Sequence, residues 1–108
     1  MDMGGTSFDV TLINNGKVTL STEGEIAGYR VAKPMIDINT VGAGGGSIAW
    51  LDKGGMLKVG PASAGSDPGP VCYSLGGTAP AVTDANLLLG YLNKDFFLGG
   101  EMEVDVQA

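Results

Sequence analysis

The sequence predicts a mixed, β-rich α/β fold with β-hairpins, one long glycine- and proline-rich loop and one clear helix. Three observations carry this. Residues Phe8 to Ile13 alternate between two faces and run into Asn14-Asn15-Gly16, a hairpin-turn signal. Nineteen glycines against three Phe, three Tyr and one Trp leave a modest, turn-rich core. Only the stretch after Thr83 joins a helix start to apolar residues at helical spacing. The length of 108 residues fits one domain, 1-108.

Taken in order, Phe8, Val10 and Leu12 share one face of the first strand, and Asp9, Thr11 and Ile13 share the other. Asn-Gly tolerates positive φ at both central positions of a tight turn, after which Lys17 to Ser21 resumes a β pattern through Val18 and Thr19. Tyr29 to Ala32 reads as a third strand ended by Lys33-Pro34, with Met35 to Val41 a short extended continuation. Ser47 to Leu51 and Met56 to Val59 flank Asp52-Lys53-Gly54-Gly55 as a second hairpin, although Ser47 to Leu51 suits a helical turn equally. Pro61 to Pro80 holds every proline but one and reads as a long ordered surface loop, a length that points to function or an interface. Thr83 is placed to cap a helix from Asp84 to about Leu92, with Ala85, Leu88, Leu89 and Leu92 on its buried side. The tail from Phe96 shows no strong element.

Composition removes several function classes. Six basic against twelve acidic residues give a net charge of −6, which repels a phosphate backbone, so no nucleic-acid partner is expected. With no histidine and Cys72 as the only cysteine, His-based triads, His/Cys zinc sites and internal disulfides are excluded within the chain. No apolar run approaches the roughly 18 residues that span a bilayer, and no signal segment follows Met1, so no membrane partner is expected. The lone thiol and the absence of an Asn-x-Ser/Thr acceptor agree with a cytoplasmic setting.

Two glycine clusters carry the chemistry. In Asp2-Met3-Gly4-Gly5-Thr6-Ser7 two glycines let backbone N–H groups approach an anion, Thr6 and Ser7 add hydroxyls, and Asp2 is placed to orient a metal-bound water. That is the outline of a phosphate loop; a frayed N-terminal turn accounts for the composition as well. The second cluster, Gly42-Ala43-Gly44-Gly45-Gly46-Ser47, imitates a dinucleotide fingerprint. It leaves no room for a packed helix before Gly54-Gly55, and no Lys-Ser/Thr pair follows it as in a P-loop. Gly44, Gly45 and Gly46 therefore form either a tight crossing of two backbones or a ligand-contacting loop. Ser63 nearly matches a nucleophile elbow, but Pro61 replaces the first glycine and no histidine can take the proton. Cys72 lacks a basic neighbour and reads as a packed, inert thiol. Trp50 reads as core or interface packing.

Four stretches in order resemble one family, the hydantoinase A and 5-oxoprolinase group, which also contains subunits of acetone and acetophenone carboxylases. They are Asp2 to Val10, Thr40 to Ala49, Gly60 to Tyr73 and Thr83 to Gly90. The resemblance implies an actin-type ATPase in which a ribonuclease-H-like fold is built twice around ATP, with this chain a partial domain around the second Asp-x-Gly-Gly-Thr copy. It implies that Gly4, Gly5, Thr6 and Ser7 touch the β- and γ-phosphates and that Asp2 faces Mg2+ through water. Family proteins are several times longer, so the chain resembles an excised piece, and the strand beginning at Phe8 is expected to have an unpaired edge. Asn39 stands where many relatives carry histidine, and Ser74-Leu75 where Gly-Arg is common, which bears on substrate choice.

The implied function is part of an ATP-dependent hydrolase that opens a small cyclic amide or imide by phosphorylating its carbonyl, with a companion hydantoinase B-type subunit. The alternatives are a subunit of an ATP-dependent ketone carboxylase and, from a different class, a non-catalytic assembly module using Trp50 and the Pro61 to Pro80 loop.

Overall fold

The computed structural model describes residues 1–108. Its strands are β1 (Asp2–Met3), β2 (Phe8–Val10), β3 (Ile13–Asn14), β4 (Lys17–Val18), β5 (Leu20–Ser21), β6 (Gly24–Ile26), β7 (Tyr29–Val31), β8 (Met35–Ile36), β9 (Asn39–Val41), β10 (Ser47–Leu51) and β11 (Leu57–Ser63). A 3-10 turn at Val71–Tyr73, the helix α1 (Val82–Leu88) and irregular 3-10 turns over Lys94–Gly100 complete it. The fold is mixed and sheet-rich, as predicted.

The one three-stranded sheet is antiparallel, in the order β1-β2-β9, with Met3 opposite Phe8 and Phe8 opposite Val41. This corrects two expectations. The strand foreseen over Phe8 to Ile13 breaks after Val10: the Thr11 hydroxyl donates to the Asp37 carbonyl at 2.7 Å and the chain leaves the sheet, so β3 pairs elsewhere. Strand β2 has no free edge either, because β1 folds back onto one side and β9 returns to the other.

Between β2 and β9 the chain makes an arm of short antiparallel ladders, β3 with β4, β5 with β8 and β6 with β7. The β3–β4 turn has φ of +50° at Asn15 and +74° at Gly16, the mirror-image turn its sequence demands. The β6–β7 turn has the same left-handed pair at Ala27 (+51°) and Gly28 (+85°). Ala27 hides it from a sequence reading, because alanine gives no sign of positive φ. The expected strand at Tyr29 to Ala32 is β7, and the extended Met35 to Val41 divides into β8 and β9.

Strands β10 and β11 form the second hairpin, with an irregular register between Ser47 and Ala49. The Asp52 carboxylate closes its turn, accepting from the N–H groups of Gly54 (2.9 Å) and Met56 (3.0 Å). The helical alternative for Ser47 to Leu51 is not adopted. Strand β11 also continues through Pro61 to Ser63, so the foreseen loop begins later and is interrupted by the 3-10 turn. Proline is accommodated because β11 is an edge strand and the ladder is already irregular there. Trp50 is 46 % exposed and donates its indole N–H to the Gly60 carbonyl at 2.7 Å, so it braces the hairpin and is no core residue.

The helix is shorter than predicted and turned on its axis. Ala81 is the N-cap, and Asp84 at the third helical position accepts its N–H at 2.7 Å. Thr83 does not cap; it is buried, with its hydroxyl donated to Gly45. The buried face therefore carries Thr83 and Leu87, while Leu88 and Leu89 are 70 % and 67 % exposed. Gly90, at φ +76°, stops the helix as a left-handed residue past its end.

Only ten of 108 residues are buried. They include Gly44, Gly46, Gly60 and Gly69 beside Ser47, Pro70, Cys72, Ala81, Thr83 and Leu87. The core lies where the second glycine loop, the segment after β11 and the start of α1 meet, and it is built largely of backbone packed on backbone. No helix is long and apolar enough to cross a membrane.

Candidate functional site

The two glycine clusters lie back to back. The Gly45 N–H donates to the Gly4 carbonyl at 2.9 Å, and the Gly46 N–H to the Gly5 carbonyl at 2.7 Å. Gly44 is glycine because a Cβ there would stand 2.5 Å from the Thr6 nitrogen and 2.6 Å from the Gly4 oxygen, both backbone atoms. The Ser47 hydroxyl accepts the Gly44 N–H at 2.8 Å and holds the second loop in shape. Within the first loop the Gly4 N–H is donated to the Ser7 carbonyl at 2.8 Å, while the N–H groups of Gly5, Thr6 and Ser7 have no hydrogen-bond partner in the chain. Exposed, unpaired successive amides in a turn are the feature that makes a backbone nest for anions.

These loops border a cleft of about 640 Å³. Gly4, Gly5 and Thr6 line one side together with Gly45 and Gly46; Ser63, Gly65 and Ser66 follow from the segment after β11; Tyr73, Thr83, Asn86 and Phe97 close the rest. No Lys, Arg, Asp or Glu lines it. Its polar groups are hydroxyls, one amide and backbone N–H groups, so a bound anion would meet dipoles and no fixed countercharge from this chain.

The predicted residues are thus brought together in part. Gly4, Gly5, Thr6, Gly45 and Gly46 line the cleft. Gly44 stands behind them as the contact between the loops, and Ser7 serves the loop through its carbonyl. Asp2 lies on β1 opposite Asp9 and borders a different hollow, shared with Asp9, Thr11 and Thr40. Nowhere do three or more His, Cys, Asp or Glu side chains gather as a metal site. Asn86 and Ser66 carry no local sequence signal for the cleft, and Ser63 resembles only a nucleophile elbow. Thr83 was placed in a cap, because its spacing to Gly45 is visible only once the loops fold together.

Behind the cleft sits a half-buried carboxylate. Asp84 accepts the N–H groups of Cys72 (2.8 Å), Val71 (3.3 Å) and Ala81 (2.7 Å). Burial pushes its carboxyl up, but the backbone N–H groups of Cys72 and Ala81, the Cys72 thiol and the Val71 N–H together outweigh that and hold it below the usual aspartate range. Cys72 is 4 % exposed, and burial first, then the hydrogen bond to Asp84 and its negative charge, pushes the thiol up to about 12. It is a packed, protonated thiol, as its sequence context indicates. The Tyr73 phenol is likewise raised, by burial first and then by Cys72, when its thiol ionises, and the Asp84 carboxylate, and its ring packs on Phe97 at 5.6 Å.

Comparison with known proteins identifies the family. The family model for hydantoinase/oxoprolinase matches residues 1–108. The chain is 56 % identical over 108 residues to the caprolactamase subunit alpha of Pseudomonas jessenii, covering 100 % of this chain and 16 % of the relative. It is 52 % identical over 106 residues to the acetophenone carboxylase gamma subunit of Aromatoleum aromaticum, covering 96 % and 14 %. The crystal structure of the ATP-dependent caprolactamase from Pseudomonas jessenii superposes with a TM-score of 0.73 at 56 % identity, over 97 % of this chain and 15 % of that one. The chain therefore spans about one-sixth of the length of these relatives.

Proposed function

This chain belongs to the hydantoinase/oxoprolinase family, and on that premise we propose that residues 4–7 and 44–46 form one wall of the ATP-phosphate site of an enzyme that opens a cyclic amide or imide. The observation that supports this most is the first loop, whose N–H groups at Gly5, Thr6 and Ser7 are unpaired while its carbonyls are tied to the second loop. Bonds from Gly45 and Gly46 to the carbonyls of Gly4 and Gly5 leave the amide side of the loop available to an anion. The fixed backbone dipoles need no reorganisation when charge develops on a transferring phosphoryl group.

In this reading the chain is a partial domain of a larger actin-type ATPase. The amide carbonyl oxygen attacks the γ-phosphorus, the bond to the β-bridging oxygen breaks, and ADP leaves. Water then adds to the activated carbonyl carbon, the ring C–N bond breaks with the proton passing to the leaving nitrogen, and a second water hydrolyses the resulting acyl phosphate to carboxylate and phosphate. Gly4 to Ser7 hold the phosphates and Thr6 adds a hydroxyl donor; a companion hydantoinase B-type subunit completes the reaction. Mg2+ takes one or two carboxylates plus phosphate oxygens and keeps several waters. Asp2 suits that mode, being exposed and free of any ion pair. It borders the neighbouring hollow, so it would act through water and not as a ligand inside the cleft. The free, buried Cys72 accords with a reducing, cytoplasmic setting.

A second reading, a subunit of an ATP-dependent ketone carboxylase, has specific support in the 52 % identity to the acetophenone carboxylase subunit. It uses the same phosphate wall. Titration of the full-length parent with Mg-ATP, followed by turnover on lactam, hydantoin and ketone-plus-bicarbonate substrates, tests both. Saturable binding with ADP release coupled to ring opening supports the hydrolase; coupling to ketone carboxylation supports the second reading. Absence of ATP binding would favour the assembly-module alternative. Asp2→Ala is expected to abolish turnover with the fold intact, and turnover within about twofold of wild type would remove Asp2 from the metal site.

A further inference from the structure

We propose that Asp84 is a positioning residue that holds the phosphate loop in its binding shape through the first turn of α1 and the hydrogen bonds that tie it to both glycine loops, an inference that rests on reading the cleft as the phosphate site. Asp84 does not line the cleft. Its carboxylate gathers three N–H groups from two separate segments, Val71 and Cys72 on the 3-10 turn and Ala81 at the start of α1. That fixes where α1 begins, and with it Thr83. Both the N–H (2.8 Å) and the hydroxyl (2.9 Å) of Thr83 are donated to the Gly45 carbonyl. The N–H of Gly45 in turn holds the Gly4 carbonyl, at 2.9 Å. The path from a half-buried carboxylate to the phosphate loop therefore runs Asp84, Ala81, Thr83, Gly45, Gly4, with hydrogen bonds from Ala81 to Asp84, Thr83 to Gly45 and Gly45 to Gly4 and the first turn of α1 between Ala81 and Thr83. On its other side the same carboxylate fixes the turn that ends at Tyr73, whose ring forms part of the cleft and packs against Gly69: a Cβ there would stand 2.6 Å from the ring.

The chemistry favours a carboxylate over any neutral side chain. Three donors converge on two oxygens, which an ionised Asp accepts without conflict, whereas an Asn would present an NH2 group to at least one of them. Ionised acceptors also make the stronger bonds. The links run through backbone, which in this loop cluster has no free space: Gly44 and Gly46 both stand within contact distance of the first loop or Ser63. A shift of α1 is then transmitted to the first loop and not absorbed.

The test uses the full-length parent. Asp84→Asn is expected to raise the Kd for Mg-ATP by about tenfold, within the usual range of coupling between sites. It is also expected to raise the alkylation rate of Cys72, read by peptide mass spectrometry, because the clamp over the thiol opens. Leu87→Ala, a buried change on the same helix outside the hydrogen-bond path, serves as comparator and is expected to leave the Kd within about twofold while lowering the melting temperature. Faster Cys72 alkylation with an unchanged Kd would overturn the proposal and leave the phosphate site standing. An equal loss of affinity in both variants would overturn it too, since general destabilisation would then explain the effect. A wild-type protein that binds no ATP would instead overturn the phosphate reading itself. Should Asp84→Asn fail to fold, reciprocity supplies a test without mutation: saturating Mg-ATP must slow amide exchange at Val71, Cys72 and Ala81 in the wild type. No slowing there would contradict the proposal.

Discussion

At the scale of single residues, the glycines of this chain divide by what they do. Gly16, Gly28 and Gly90 supply left-handed turns, whereas Gly44 and Gly46 supply closeness between backbones. Substitution should therefore have different costs. Gly44→Ala places a methyl group against the Thr6 nitrogen and the Gly4 oxygen, neither of which can move without opening the contact between the loops. We expect a loss of about 1–3 kcal/mol, as for other overpacked sites, and weakened ATP binding in the full-length parent. Gly5→Ala meets no atom within 4 Å and should leave the fold untouched, so any loss of nucleotide affinity there reports on the ligand alone. Calorimetric melting and ATP titration of the two variants separate these effects; equal melting temperatures would show that the two loops are not packed as described.

At the scale of elements, what the sequence revealed depended on whether the signal was local. The β3–β4 turn was legible because Asn15-Gly16 names its own φ values, and the β10–β11 hairpin because Asp52 and Gly55 mark its turn. The β6–β7 turn was not, since Ala27 carries no such mark. The register of α1 was misread because Thr83 looks like a cap, while the hydroxyl is taken by Gly45, thirty-eight residues earlier in the chain. The helix start depends instead on Asp84, which gives it a pH dependence of known sign. The folded carboxyl lies below 3.8, so its stabilising contribution is present above that value and lost as the pH falls through the depressed one. Cys72 acts at the other end. Its thiol rises from 9.0 to about 12, so stability is present below 9.0 and lost as the pH rises toward the folded value. Hydrogen-exchange protection of α1, corrected for intrinsic rates, should be flat between these limits and fall on both sides. Protection that persists unchanged into strong acid would contradict the role given to Asp84.

At the scale of the whole molecule, the chain has a radius of gyration of 17.3 Å, against about 13 Å for a compact domain of this length. Its extents are 50 × 38 × 26 Å, and Leu12, Tyr29, Leu57, Leu88, Tyr91 and Phe96 all stand in the open. We expect the isolated 108 residues to show no ATPase or ring-opening activity and to bind ATP weakly, since one wall and a net charge of −6 give a polyanion little to hold. Calorimetry with Mg-ATP, beside sedimentation, checks this; micromolar affinity in a clean monomer would make it a self-sufficient nucleotide-binding domain. The candidate site was legible to the extent that it is backbone: two glycine clusters announced themselves, whereas Asn86, Ser66 and Thr83 join the cleft only through long-range folding. Because the central claim concerns backbone amides, amide exchange over residues 4–7 of the full-length parent, with and without Mg-ATP, tests it most directly. Gly5, Thr6 and Ser7 have no partner in the chain, so they should exchange fast without nucleotide and slow by about tenfold or more when phosphate oxygens take up their protons. Equal exchange in the two states, at an ATP concentration that saturates the protein, would contradict the assignment of this loop to the phosphates.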